Sequence, residues 1–143
     1  MFVLIVGCGR VGSAIANSMM EEGHEVSVLD EDAEAIALLD RGQEHSWEER
    51  GGQFTEGTAL EIDALLAAGI DRADAFVAST DGDNTNLVIA QVATQKYEVA
   101  HVAARIQDPA RAEAYADRGF HIISPVKMAI EGLASWALAA EGA

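Results

Sequence analysis

The residues whose spacing promises chemistry are three glycines and an acid. Gly7-Cys8-Gly9-Arg10-Val11-Gly12 reads G-x-G-x-x-G, and Asp30 follows further along the chain. In such a loop the first glycine permits a tight turn and the second lets a pyrophosphate approach the backbone. The third lets a helix pack close to a sheet. Unpaired N–H groups at the helix start, with the helix dipole, then attract phosphate. A carboxylate at Asp30 can accept hydrogen bonds from both hydroxyls of an adenosine ribose and would repel a 2′-phosphate, which favours an unphosphorylated ribose. Arg10 and Arg105 are the candidate cations for the phosphates. A second polar group, Thr80-Asp81-Gly82-Asp83-Asn84-Thr85-Asn86, either lines the crevice or caps a helix. Residue types alone leave both open.

Elements that could position these groups are legible in the apolar pattern. Phe2 to Val6 is an unbroken apolar run, as in a strand covered on both faces. The glycine turn follows, then a helical stripe of Val11, Ala14, Ile15, Ser18 and Met19 that stops at Gly23. Glu25 to Leu29 is a second strand, closed by Asp30. Strand, glycines, helix, strand and acid in this order form the βαβ dinucleotide-binding pattern, more specific than the glycines alone.

Beyond Asp30, Asp32 to Leu39 reads as a short helix capped by Asp32, and Arg41 to Gly52 as a polar loop. One histidine and scattered glutamates in that loop make a poor metal site, and no metal is expected. Gln53 to Gly57 is the third strand, with Phe54 as its only large apolar residue. Leu60 to Ala68 is a helix stopped by Gly69, and Asp74 to Ser79 is the fourth strand. A long helix then runs to about Tyr97, and His101 to Ile106 is the fifth strand. Asp108-Pro109 opens a helix that stops at Gly119. Phe120 to Ser124 is the sixth strand, and Val126 to Ala140 a final helix, apolar on more than one face. Such a helix packs on another subunit or another domain, or simply closes the sheet. Six strands alternating with helices give a Rossmann-like, doubly wound parallel α/β sheet, in one domain spanning 1–143.

Composition narrows the function. The chain carries 24 acids against 9 Lys and Arg, a net charge of −15. Such a surface repels nucleic acid and anionic headgroups, so nucleic acid is not an expected partner. An anionic nucleotide needs local donors, which screening over roughly 8 Å allows. The single cysteine, Cys8, forms no internal disulfide and suits a reducing compartment. It reads as a small filler in the glycine turn. No segment has the length of a membrane span, and the N-terminal run is too short for a signal peptide.

Taken together, GCGRVG, VLD at the second strand, the run from Gly57 to Ile70, ADAFVASTDGDNTNLVIAQVA, HVAARIQDPARAEAY and HIISPVKMAIEGLA resemble a known family. It is the RCK/KTN (TrkA-N type) nucleotide-binding regulatory domain of bacterial Trk/Ktr potassium-uptake systems. The resemblance covers nearly the whole chain. It implies a cytoplasmic gating subunit that binds NAD(H) or ATP/ADP beneath a membrane-embedded K⁺-translocating subunit. It also implies a homo-dimer or higher ring, with the last helix (about 126–140) crossing to a neighbour. Carried over by position, Gly7, Gly9, Arg10, Val11 and Gly12 meet the phosphates, and Asp30 the ribose with Glu31 beside it. Thr58 and Ala59 fall near the adenine, and Thr80, Asp81 and Arg105 near the phosphates or the second half of the ligand. Two positions depart from the family. Gly57-Thr58-Ala59-Leu60 stands where many members have G-D-x-T, and Val126 where some ATP-responsive members have a glutamate. The first removes a polar contact near the adenine, and the second argues against a divalent cation. A second ligand-binding domain carried by many relatives does not follow in this sequence.

The competing reading is an NAD-dependent oxidoreductase of Rossmann type. Such an enzyme needs a proton-transfer group beside the nicotinamide. No Tyr-x-x-x-Lys is present, since Tyr97 is followed four places on by His101 and Tyr115 by Gly119. A non-enzyme is therefore expected.

Overall fold

A computed structural model describes residues 1–142. Six strands form one all-parallel sheet: β1 (Phe2–Val6), β2 (Glu25–Asp30), β3 (Gln53–Glu56), β4 (Ala75–Ala78), β5 (His101–Arg105) and β6 (His121–Ile123). Their order across the sheet is β3-β2-β1-β4-β5-β6, so the winding reverses between β1 and β4. In such sheets, ligands bind outside the carboxyl ends of the strands at that reversal. The helices are α1 (Arg10–Glu21), α2 (Ile36–Asp40), α3 (Ile62–Ala68), α4 (Asp83–Gln91), α5 (Pro109–Ala114) and α6 (Pro125–Ala139).

Alternation along the strands divides the core in two. Leu4, Val6, Leu29, Phe76, Ala78, Val102 and Ala104 pack beneath α3, α4 and α5 with Leu65, Ile89 and Ala112. Val3, Ile5, Val26 and Val28 pack on the other face with Ala16, Leu39 and Trp47. Burial of β1 on both faces is what its unbroken apolar run demanded.

Several expectations need correction. The stretch from Arg41 to Gly52 is a loop, as expected, but Trp47 within it is fully buried and anchors it in the core. Trp47 Nε1 donates to the Gln53 carbonyl (3.0 Å), and its backbone N–H to Asp40 Oδ1 (2.7 Å). The Arg50 guanidinium, 5.4 Å from the indole centroid, donates to Asn17 Oδ1 (2.8 Å) and to the carbonyls of Leu39 (2.9 Å) and His45 (3.1 Å). Gly52 is required here, because a Cβ would stand 2.2 Å from the indole ring. The indole does the work of a missing helix, which explains how an apolar-poor β3 stays in the sheet.

Asp32 does cap the next segment, through the Glu34 N–H (2.9 Å), but the segment starts as a 3₁₀ turn over Ala33–Ala35 before α2. The helix opened by Asp108 and Pro109 ends at Ala114, well short of Gly119. The helix after β4 gives way to a π-helical turn at Val92–Lys96. α6 begins directly at Pro125, with Ser124 Oγ accepting from the Lys127 N–H (3.1 Å).

Candidate functional site

At the reversal between β1 and β4 lies a crevice of about 740 Å³. That is within the size range of small-molecule and cofactor sites. Of the residues expected from the sequence, Gly7, Gly9, Asp30, Glu31, Thr58, Ala59, Thr80 and Asp81 line it. Arg10, Val11 and Gly12 form the first turn of α1 outside that lining, and Arg105 stands behind Thr80 and Asp81.

The three glycines do three different things. Gly7 has φ +102°, and a Cβ there would sit 2.6 Å from the Ser79 backbone. At Gly12 a Cβ would fall 1.8 Å from the Gly7 carbonyl oxygen, so helix and turn touch backbone to backbone. A Cβ on Gly9 would meet no described residue within 4 Å. The protein has no packing need for a glycine at that point, and the space it leaves belongs to the crevice. Gly9 is also the N-cap of α1, and no side chain among the described residues caps that helix. The same holds for α4, whose N-cap is Gly82 on the opposite rim. Side-chain caps do close α5 and α6 away from the crevice, through Asp108 and Ser124. Bare helix starts leave N–H groups and positive dipole ends available to an anion.

Asp30 holds the turn in place. Its Oδ2 accepts from the Cys8 N–H (2.7 Å) and its Oδ1 from the Asp32 N–H (2.8 Å). Each carboxylate oxygen can accept more than one hydrogen bond, so capacity for ribose hydroxyls remains. Cys8 is buried, its Sγ lies 3.4 Å from the Ala35 carbonyl, and burial with the Asp30 charge beside it raises the thiol pKa to about 12. It is packing, as its position in the turn suggested.

The polar stretch after β4 resolves into two kinds of residue. Asn86, fully buried, is the joint. Its Oδ1 accepts from the Thr80 N–H (3.0 Å) and the Thr80 hydroxyl (2.6 Å), and its Nδ2 donates to the carbonyls of Thr80 (3.0 Å) and Arg105 (2.8 Å). Asp83 accepts from the N–H groups of Gln107 (2.8 Å) and Asp108 (3.1 Å). These residues fasten the ends of β4 and β5 together. Asp81 and Thr85 instead line the crevice. Arg105 Nη2 donates to the Thr80 carbonyl (2.9 Å) and pairs with Asp81 (3.3 Å), while its buried Nε has no partner among the described residues. An unspent donor on a cation behind the rim fits an anionic ligand.

Sequence reasoning missed the outer wall of the crevice, formed by Glu34, Ala35, Leu38 and Arg41. The 3₁₀ turn after Asp32 is too short for periodicity to reveal which side chains face inward.

A family model described as the TrkA-N domain matches residues 3–125. The chain belongs to the TrkA-N family. A Trk system potassium uptake protein TrkA from Streptomyces coelicolor is 40% identical over 127 residues, covering 89% of this chain and 54% of that protein. The chain therefore spans about half the length of the curated relatives it matches. Among solved structures, the TrkA-N domain of the inner membrane protein YbaL from Escherichia coli superposes with a TM-score of 0.76 at 18% identity, over 94% of this chain and 95% of that one. The GsuK channel, in a structure bound to ADP, gives 0.73 at 21% identity over 93% of this chain and 32% of that one. In a structure bound to NAD it gives 0.67 at 14% identity, over 87% and 21%. At these identities the structural likeness establishes the fold, and the TrkA-N fold is the one seen here.

Proposed function

We propose that this TrkA-N domain is a non-catalytic regulatory module that binds NAD(H) or an adenine nucleotide (ATP or ADP) and so controls K⁺ flux through a membrane-embedded K⁺-translocating subunit. The observation that carries the reading is the open space above Gly9, between two uncapped helix starts and beside Asp30. Pyrophosphate would lie over Gly9 against the start of α1, with Arg10 within reach from the first turn. Asp30 would hold the adenosine ribose with Glu31 beside it, and Thr58 and Ala59 would flank the adenine. Thr80, Asp81 and Arg105 would meet the terminal phosphate or the second nucleoside. The names of the relatives support potassium uptake as the process, and NAD and ADP in the GsuK structures support the ligand class.

In this reading the domain works at the inner face of the membrane as a homo-dimer or ring. α6 supports the assembly, because Val126 to Ala139 are all exposed, including Leu133 at 71% and Trp136 at 79%. A helix so apolar needs a second copy to cover it. Ligand can act as a switch only by binding two arrangements of the assembly with different affinity.

Calorimetric titration with NAD⁺, NADH, ADP and ATP, each with and without Mg²⁺, tests the proposal. At least one should bind, and Asp30→Ala should weaken it by about tenfold to a hundredfold through loss of charge-assisted hydrogen bonds. Absence of binding by all four, or unchanged affinity in the variant, would overturn the assignment. Turnover of bound NADH with a panel of small carbonyl compounds would instead point to an oxidoreductase.

A further inference from the structure

Half of one sheet face has no cover from its own chain. β4, β5 and β6 turn Phe76, Val102, Ala104 and Ile122 into the core beneath α3 to α5. Their alternate residues face the other way, where His101, Ala103 and His121 border a hollow of about 730 Å³. α1 and α2 pack on Val3, Ile5, Val26 and Val28, and their cluster reaches only as far as Ala75 and Val77 of β4, which are half-buried against it. Only Ser124 separates β6 from α6, and its cap with Pro125 sets the helix off away from the body. The open strip, from the half-buried edge of β4 across β5 and β6, is close to one helix diameter, about 10–12 Å. α6 of a second copy is the occupant the chain itself supplies.

We propose that His101 and His121 make this joint between copies sensitive to protons, so that acidification loosens it. The inference rests on the dimer reading above. In the sheet register His121 lies beside Ala103, which puts the two histidines on the same face of adjacent strands. A strand spacing of about 4.8 Å and a two-residue offset of about 6.6 Å place their Cα atoms about 8 Å apart. The other charged groups facing this seat are few. Asp117 borders the hollow from the turn after α5, Arg105 ends β5 on the same face, and β4 contributes only Ala75 and Val77. A docked α6 would add Lys127 and Glu131, of opposite sign.

Covering this face with Met128, Ile130, Leu133 and Trp136 removes water from the imidazoles, which disfavours their charged form. Two charged imidazoles at this spacing would also repel, and the carboxylates of Asp117 and a docked Glu131 are matched by the cations of Arg105 and Lys127. The covered face therefore holds fewer protons than the bare one. By linkage the joint is favoured while the imidazoles are neutral and weakens as acid protonates them. The background runs in the opposite direction. A chain of net charge −15 repels its copies less as pH falls, so general electrostatics would tighten the dimer. The sign of the effect separates the two.

Sedimentation equilibrium of the chain at pH 8.0 and pH 5.5, at one ionic strength, reads the dimer dissociation constant, with circular dichroism confirming that the fold persists. We expect it to weaken about tenfold or more at pH 5.5. The double variant His101→Gln/His121→Gln should keep the tight dimer at pH 8.0 and lose the acid weakening. Equal or tighter association of the parent chain at pH 5.5, or acid weakening retained in the double variant, would overturn the inference. Failure of the underlying dimer reading would look different. Leu133→Glu/Trp136→Glu would then dimerise as well as the parent at pH 8.0, or the parent would be monomeric there.

Discussion

Exchanging glycine for alanine at Gly9 and at Gly12 separates a residue kept for a ligand from one kept for packing. The added Cβ at Gly12 would stand 1.8 Å from the Gly7 carbonyl oxygen and 2.9 Å from its carbon. Both are backbone atoms, so no rotamer relieves the overlap, and the turn must move by more than 1 Å to restore an ordinary contact distance, on the order of 3.2 Å. That movement strains the Gly7 N–H bond to the Leu29 carbonyl (2.8 Å) and the Cys8 N–H bond to Asp30 (2.7 Å). Overpacking of about 1–3 kcal/mol plus one weakened hydrogen bond of about 1 kcal/mol gives a loss of about 2–4 kcal/mol. At Gly9 the Cβ meets nothing described, and the backbone (φ −85°, ψ −159°) suits an L-residue. A smaller unfolded-state entropy there offsets a poorer N-cap, so stability should stay within about 1 kcal/mol. Its methyl group would instead stand where the proposed site places the pyrophosphate, and affinity for NAD⁺ or ADP should fall at least about tenfold. Urea unfolding and calorimetric titration of both variants give the two numbers each. The reasoning is refuted if Gly9→Ala is as destabilised as Gly12→Ala, or if it binds nucleotide as well as the parent.

Two further outcomes follow from the packing of the chain. Arg50→Ala should destabilise by about 2–3 kcal/mol in urea unfolding, because it leaves Asn17 Oδ1 without its donor, leaves the Leu39 carbonyl only the longer bond from Asn17 Nδ2 (3.3 Å) and uncovers the Trp47 indole. A loss below about 0.5 kcal/mol would show that Trp47 alone holds the loop. The Cys8 thiol, with its pKa raised to about 12, should resist alkylation by iodoacetamide at pH 8 in the folded chain and react readily in urea, because the thiolate is the nucleophile. Folded-state reactivity like that of a free thiol would contradict its burial against Ala35.

The parts of this fold that sequence disclosed are those fixed by short-range rules. β1 reads directly because burial on both faces leaves it no polar residue, and α1 because Gly7 to Gly12 precede an apolar stripe of helical period. Trp47 was hidden because one indole supplies what a helix stripe usually does, and a lone aromatic residue in a polar stretch has no period to read. The roles within Thr80 to Asn86 were undecidable for a different reason. Asp81 and Asp83 are alike in sequence, but one lines the crevice while the other bonds Gln107 and Asp108, across a separation that only the sheet order closes. The outward course of α6 was likewise visible only as surplus hydrophobicity, since its direction depends on the single residue between β6 and Pro125.

Asn86 has a consequence for how movement can pass through the molecule. With all of its side-chain hydrogen-bonding capacity spent on Thr80 and Arg105, it rivets the two strand ends that form one jaw of the crevice. A buried amide so fully engaged resists any parting of those ends, because opening would strand four polar groups. The jaw behaves as a casting, not a hinge. In the proposed assembly, whatever a nucleotide changed here would then be carried as rotation of one whole copy against the next, a lever whose arm is the length of the domain.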